Sequence, residues 1–142
     1  MGKTNWNRVF IGGLLAGVVM IILGFATYMI YLENLWTPAM EALGLSTQMS
    51  VGLYIFAVVM SLIVGILAIW LYSAIRPRYG AGPKTAAIAG IAFWILSVLL
   101  TYISYDAMGM FPTKVLVIDG LTGLVILVVA TLVGACVYKE QQ

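Results

Sequence analysis

The sequence predicts an all-α integral membrane protein: a four-helix up-down bundle with a short interfacial helix in its first outer loop. Three observations carry this. Of 142 residues, 63% are hydrophobic and only 8% charged, whereas a soluble domain has about 45–50% and about 25%. Four stretches, 9–31, 51–75, 85–105 and 115–138, each supply the ~20 apolar residues that a helix needs to cross ~30 Å of hydrocarbon. None alternates polar and apolar residues as a barrel strand would. The length fits one transmembrane domain, residues 1–142.

Span 1 follows Lys3 and Arg8. It is longer than the 7–15-residue core of a signal peptide, and no small-x-small cleavage site follows, so it reads as a retained anchor. In the loop 32–50, Thr37-Pro38 suggests an N-cap followed by proline at the first helical position, and Gly44 an end. Leu35, Trp36, Met40 and Leu43 make that piece amphipathic, so it should lie at the membrane surface. Between spans 2 and 3, Arg76-Pro77-Arg78-Tyr79-Gly80-Ala81-Gly82-Pro83 reads as a turn. This and the similarly short 106–114 make spans 2, 3 and 4 antiparallel neighbours.

Lys3, Arg8, Arg76, Arg78, Lys84 and Lys139 fall on one side of the membrane and only Lys114 on the other. By the positive-inside rule both termini are then cytoplasmic. Glu33, Glu41, Asp106 and Asp119 lie at or toward the outer side, and Glu140 inside.

At about 100° per residue, each span has one small-residue face. These are Gly13, Gly17 and Gly24; Ala57, Ser61, Gly65 and Ala68; Ala86, Gly90 and Ser97; Gly123, Ala130 and Gly134. Small residues let helix backbones approach closely in lipid, so these faces should pack together. Gly13, Ala16, Gly17, Gly24 and Glu33 also align with Ala86, Ala89, Gly90, Ser97 and Asp106. Such an alignment suggests two parallel-repeat hairpins.

Asp119 is the one charge inside a span, about 40° from Gly123 on the packing face. A carboxylate buried there needs pairing, hydrogen bonds or protonation. Tyr28 and Tyr31 continue the glycine face of span 1, and Thr101 and Ser104 that of span 3. The expectation is an outer polar cluster of Asp119, Tyr28, Tyr31, Thr101 and Ser104, with Glu33 and Asp106 as rim acids. It could be a coupling site or a lock on helix register.

Histidine is absent and Cys136 is the single cysteine. That removes Ser-His-Asp chemistry, the usual zinc sites and any intrachain disulfide. No nucleotide loop or nucleophile-base pair occurs, so no catalytic or metal residue and no cofactor is predicted, though a bound lipid or pigment would fit. The scattered basic residues argue against nucleic acid. Arg76, Arg78 and Lys84 form a basic cytoplasmic hairpin that suits lipid head groups or a partner subunit. Trp6, Trp36, Tyr72, Tyr79 and Tyr138 sit near span ends, as an aromatic belt would, while Trp70 and Trp94 lie deeper, toward lipid or a pigment.

Gly12-Gly13-Leu14-Leu15-Ala16-Gly17, Trp36 with Met40 and Leu43-Gly44, Trp70 through Gly80, Gly82-Pro83-Lys84-Thr85-Ala86 and Phe111-Pro112 resemble a family of small bacterial four-span membrane proteins of unknown function. The resemblance implies four helices in a bacterial inner membrane and assigns no chemistry. Two functions are therefore expected. One is a non-catalytic accessory or assembly subunit in a larger membrane complex of respiratory or photosynthetic type. The other is a small self-associating transporter coupled to protons or cations through Asp119.

Overall fold

The computed structural model describes residues 4–139; Lys3 and Glu140 lie outside them. All the regular elements among these residues are helical. Helix α1 (Trp6–Thr27) passes through a π-helical turn (Tyr28–Leu32) into α2 (Glu33–Ala42). Helix α3 (Val51–Tyr79) is uninterrupted. Helix α4 (Pro83–Trp94) runs through a second π turn (Ile95–Leu99) into α5 (Leu100–Ala107), and α6 (Thr113–Val137) completes the bundle. The four resulting apolar spans are Trp6–Ala42, Val51–Tyr79, Pro83–Ala107 and Thr113–Val137.

Local chemistry sets most boundaries. The Asn5 side chain accepts from the Arg8 N–H, and Ser50 Oγ from the Leu53 N–H, capping α1 and α3. Gly44, Gly80 and Gly109 end their helices at positive φ (69°, 87° and 65°). Thr85 Oγ1 donates to the Gly80 carbonyl at 2.7 Å and ties the turn to α4.

Two boundaries differ from the sequence expectation. No loop precedes the short helix: α2 begins at Glu33, and Pro38 lies inside it instead of opening it. Span 1 is 37 residues, about 55 Å of helix against ~30 Å of hydrocarbon. The short helix is therefore a continuation of span 1 and not a separate piece after a loop. Likewise α3 continues through Pro77 to Tyr79.

Span 1 packs on spans 2 and 4, and span 3 on spans 2 and 4; α1 and α4 lie across a diagonal without an extended contact. The tight part of the bundle is the half bearing Arg8, Arg76, Arg78, Lys84 and Lys139, here the basic end. There Gly12, Gly13, Ala16 and Gly17 are buried, as are Thr85, Ala86, Ala89 and Gly90, the same offset as the sequence alignment of spans 1 and 3. A Cβ on Gly12 would sit 2.6 Å from the Gly134 carbonyl, and one on Gly17 2.7 Å from Leu62 Cα. A Cβ on Gly13 would meet the Ile66 backbone, and one on Gly65 the backbones of Gly13 and Gly17, just as closely, and Gly90 abuts Val128. Dispersion between such close backbones is what holds helices together where lipid removes the hydrophobic drive.

Gly24 and Gly123 do not pack this way. A Cβ on Gly24 would meet nothing within 4 Å, and one on Gly123 only Trp94 Nε1 at 3.9 Å. Both lie toward the acidic end, where the helices separate; every residue of α3 from 51 to 60 is exposed. The accessible surface is 8602 Å², against about 7,200 Å² for a compact protein of this mass.

The aromatic belt is also only partly as expected. Trp6 and Tyr79 are exposed, but Tyr72 and Tyr138 are buried, edge to face at 5.8 Å, with the Arg76 guanidinium 5.3 Å above the Tyr138 ring. Those two tyrosines clamp the basic end of the bundle. Trp94 turns inward as well, its indole donating to the Gly120 carbonyl at 2.9 Å. Trp70 remains exposed.

Candidate functional site

Asp119 stands two turns into α6, where it faces both neighbouring spans. Its Oδ2 accepts the Trp36 indole N–H at 3.0 Å and the Tyr102 hydroxyl at 2.7 Å. One donor comes from span 1 and the other from span 3, so the carboxyl bridges two helices that make no extended contact with each other.

The donors are joined through aromatic rings. Trp36 meets Phe111 edge to face at 5.1 Å, Phe111 meets Tyr105 at 5.8 Å, and Tyr105 stacks with Tyr102 at 6.3 Å. The chain of rings begins and ends on residues bonded to one oxygen. Such contacts contribute about 0.5–1.5 kcal/mol each beyond area burial, so ring packing and hydrogen bonding fix the carboxyl together.

Counted along a straight α-helix, neither donor falls on the small-residue face of its span. Trp36 follows Gly24, and Tyr102 follows Gly90, by twelve positions each. In a straight α-helix each would point about 120° from its glycine. A π turn inserts one residue, so everything beyond it lags by about 100°. Both then return to within about 20° of the glycine face.

The same lag displaces other candidates. Thr101 and Ser104 rotate off the packing face, and their hydroxyls donate to their own helix, at Ser97 O (3.0 Å) and Leu100 O (2.9 Å). They are not among the groups around Asp119. Tyr31, inside the π turn, reaches α6 one turn beyond Asp119. It shares a hydrogen bond with Thr122, whose own proton goes to Ile118 O. Tyr28 lines a cavity that also includes Asp119.

The rim acids do not meet. Glu33 is exposed at the start of α2, beside a cavity between α1 and α3. Asp106 accepts from Thr113 Oγ1 and braces the loop before α6. Their separation follows from the diagonal placement of spans 1 and 3. Arg78 and Lys84 are exposed at the opposite, basic end.

Two cavities lie on the span 1 side, and one of them borders the carboxyl. One, of about 350 Å³, is bounded by Gly24, Thr27, Tyr28, Trp36, Asp119 and Gly123 among others. The second, of about 390 Å³, lies between α1 and α3 and shares Gly24, Tyr28 and Met49 with the first. On the other side, a smaller cavity of about 240 Å³ is lined by Trp94, Tyr102 and Gly120.

Among the described residues no three of Asp, Glu and Cys gather as a metal-binding group. Sequence reasoning found Asp119 from its charge inside a span. It missed Trp36, Tyr102 and Thr122, although two of them are hydrogen-bonding aromatics at the acidic ends of spans. Compared with known protein families, curated proteins and solved structures, the chain matches none.

Proposed function

We propose that this chain is a non-catalytic subunit that packs against other proteins in a larger membrane complex. The observation that supports the reading is the acidic half of α3. Residues 51–60 make nearly three helical turns, and all are exposed. A helix packed within its own bundle buries one stripe along its length. Here the small-residue face is buried at Gly65 and Ala68 but emerges at Ala57, where helix association in lipid would use it. We further infer a bacterial inner membrane with both termini cytoplasmic, from the family resemblance and the six basic residues that the sequence puts on one side of the spans.

Affinity purification of the full chain in mild detergent, followed by mass spectrometry, tests this. A stoichiometric partner that photocrosslinks to a probe at Phe56 supports it. Recovery of the chain alone, with Phe56 crosslinking only to lipid, overturns it.

A second reading is a small self-associating transporter coupled to protons or cations through Asp119. The observation that favours it is that Asp119 borders a cavity instead of being sealed in packed side chains. In reconstituted vesicles, ion-coupled flux that is abolished by Asp119→Asn would favour this reading over the first.

A further inference from the structure

We propose that the cleft at the acidic end binds an amphiphilic organic cation, with an ammonium head beside Asp119 and an alkyl or aryl body between α1 and α3. The inference does not rest on the subunit reading, and it requires binding without requiring transport.

The space is suitable. Cavities of about 350 and 390 Å³ share Gly24, Tyr28 and Met49, and each is within the size range of small-molecule sites. Gly24 and Gly123 leave the region beside the carboxyl open, since a Cβ on either would meet almost nothing. The walls farther along are apolar: Met20, Ile21 and Phe25 on α1, and Val58 on α3.

The charge selects a cation. One cavity carries Asp119 and the other Glu33, and neither is lined by lysine or arginine. Asp119 Oδ2 takes both protein donors, whereas Oδ1 accepts no hydrogen bond from the described residues. Trp36 and Tyr28 bring aromatic rings to the same cavity, and the electron-rich faces of such rings attract ammonium groups. A bare metal ion would find too few ligands here; an anion would meet only like charge.

The test is calorimetric titration of the full chain in phosphatidylcholine nanodiscs, with benzyltrimethylammonium as probe and benzylsulfonate as its charge-reversed counterpart. The expected result is saturable binding of the ammonium and none of the sulfonate. Asp119→Asn should weaken binding at least tenfold while the fold persists, because the amide oxygen still accepts from Trp36 and Tyr102. Gly24→Leu, which fills the cavity and leaves Asp119 intact, should weaken it similarly and carries the comparison if Asp119→Asn does not fold. Absence of saturable ammonium binding, equal binding of the sulfonate, or unchanged affinity in a folded variant would overturn the proposal.

Discussion

Trp36 and Tyr102 donate to the same oxygen of Asp119, from helices that make no extended contact with each other. Each lies beyond a π turn and would miss the carboxyl without it. Convergence of two donors on one acceptor ties spans 1, 3 and 4 together at the acidic end, where α3 stands apart.

Removing either donor should weaken that tie. Tyr102→Phe and Trp36→Phe each delete one hydrogen bond and should lower stability by about 1 kcal/mol, within the range seen for polar contacts in membranes. Through the shared carboxyl their effects should be non-additive by about 0.5 kcal/mol or more. A double-mutant cycle on unfolding in detergent measures this; strict additivity would show that the two bonds act independently.

Thr101→Ala and Ser104→Ala should change stability by no more than about 0.5 kcal/mol. Their hydroxyls return to carbonyls of their own helix. The same unfolding assay separates them from Tyr102, which lies between them in the chain.

The glycines should divide into two classes. A methyl at Gly65 meets the backbone of Gly13 and Gly17, which cannot move aside singly, so Gly65→Ala should destabilise by about 1–3 kcal/mol. Gly24→Ala meets nothing and should be neutral or stabilising by up to about 1 kcal/mol, the ordinary preference of a helix for alanine. Equal losses at the two positions would contradict the open acidic end.

Deleting Ile30, which is 73% exposed, should convert the first π turn to α-helix and leave Trp36 on its present face. Deleting Val125, 62% exposed in α6, offers no such absorption and should turn Asp119 by about 100° relative to Gly134. Size-exclusion profiles in detergent should remain monodisperse for the first deletion and not for the second.

With Cys136 replaced by serine, a cysteine at Lys114 should react with an impermeant maleimide in intact cells, and one at Arg78 only after permeabilisation. The positive-inside distribution sets this direction. The reverse labelling pattern would invert the assigned topology while leaving the fold unchanged.

The four spans were legible because crossing a membrane depends on local composition and length. The tight half of the bundle was legible for a related reason. Gly13, Gly17, Gly65, Gly90 and Gly134 lie on uninterrupted α-helix, where rotation per residue is constant and the packing face can be counted directly. Asp119 was legible because a charge inside a span must be satisfied by the protein.

What the tertiary structure decided begins beyond each π turn. One inserted residue is invisible in composition but changes direction by about 100°. It brings Trp36 and Tyr102 to the carboxyl and turns Thr101 and Ser104 away. The diagonal placement of spans 1 and 3 likewise keeps Glu33 and Asp106 apart. Separation of the helices at the acidic end leaves Gly24 and Gly123 bordering a cavity instead of a helix. Sequence by itself determined which segments enter the membrane and which charge goes with them. Packing between helices decided which side chains meet that charge, because a face can be counted only while the helix keeps its pitch.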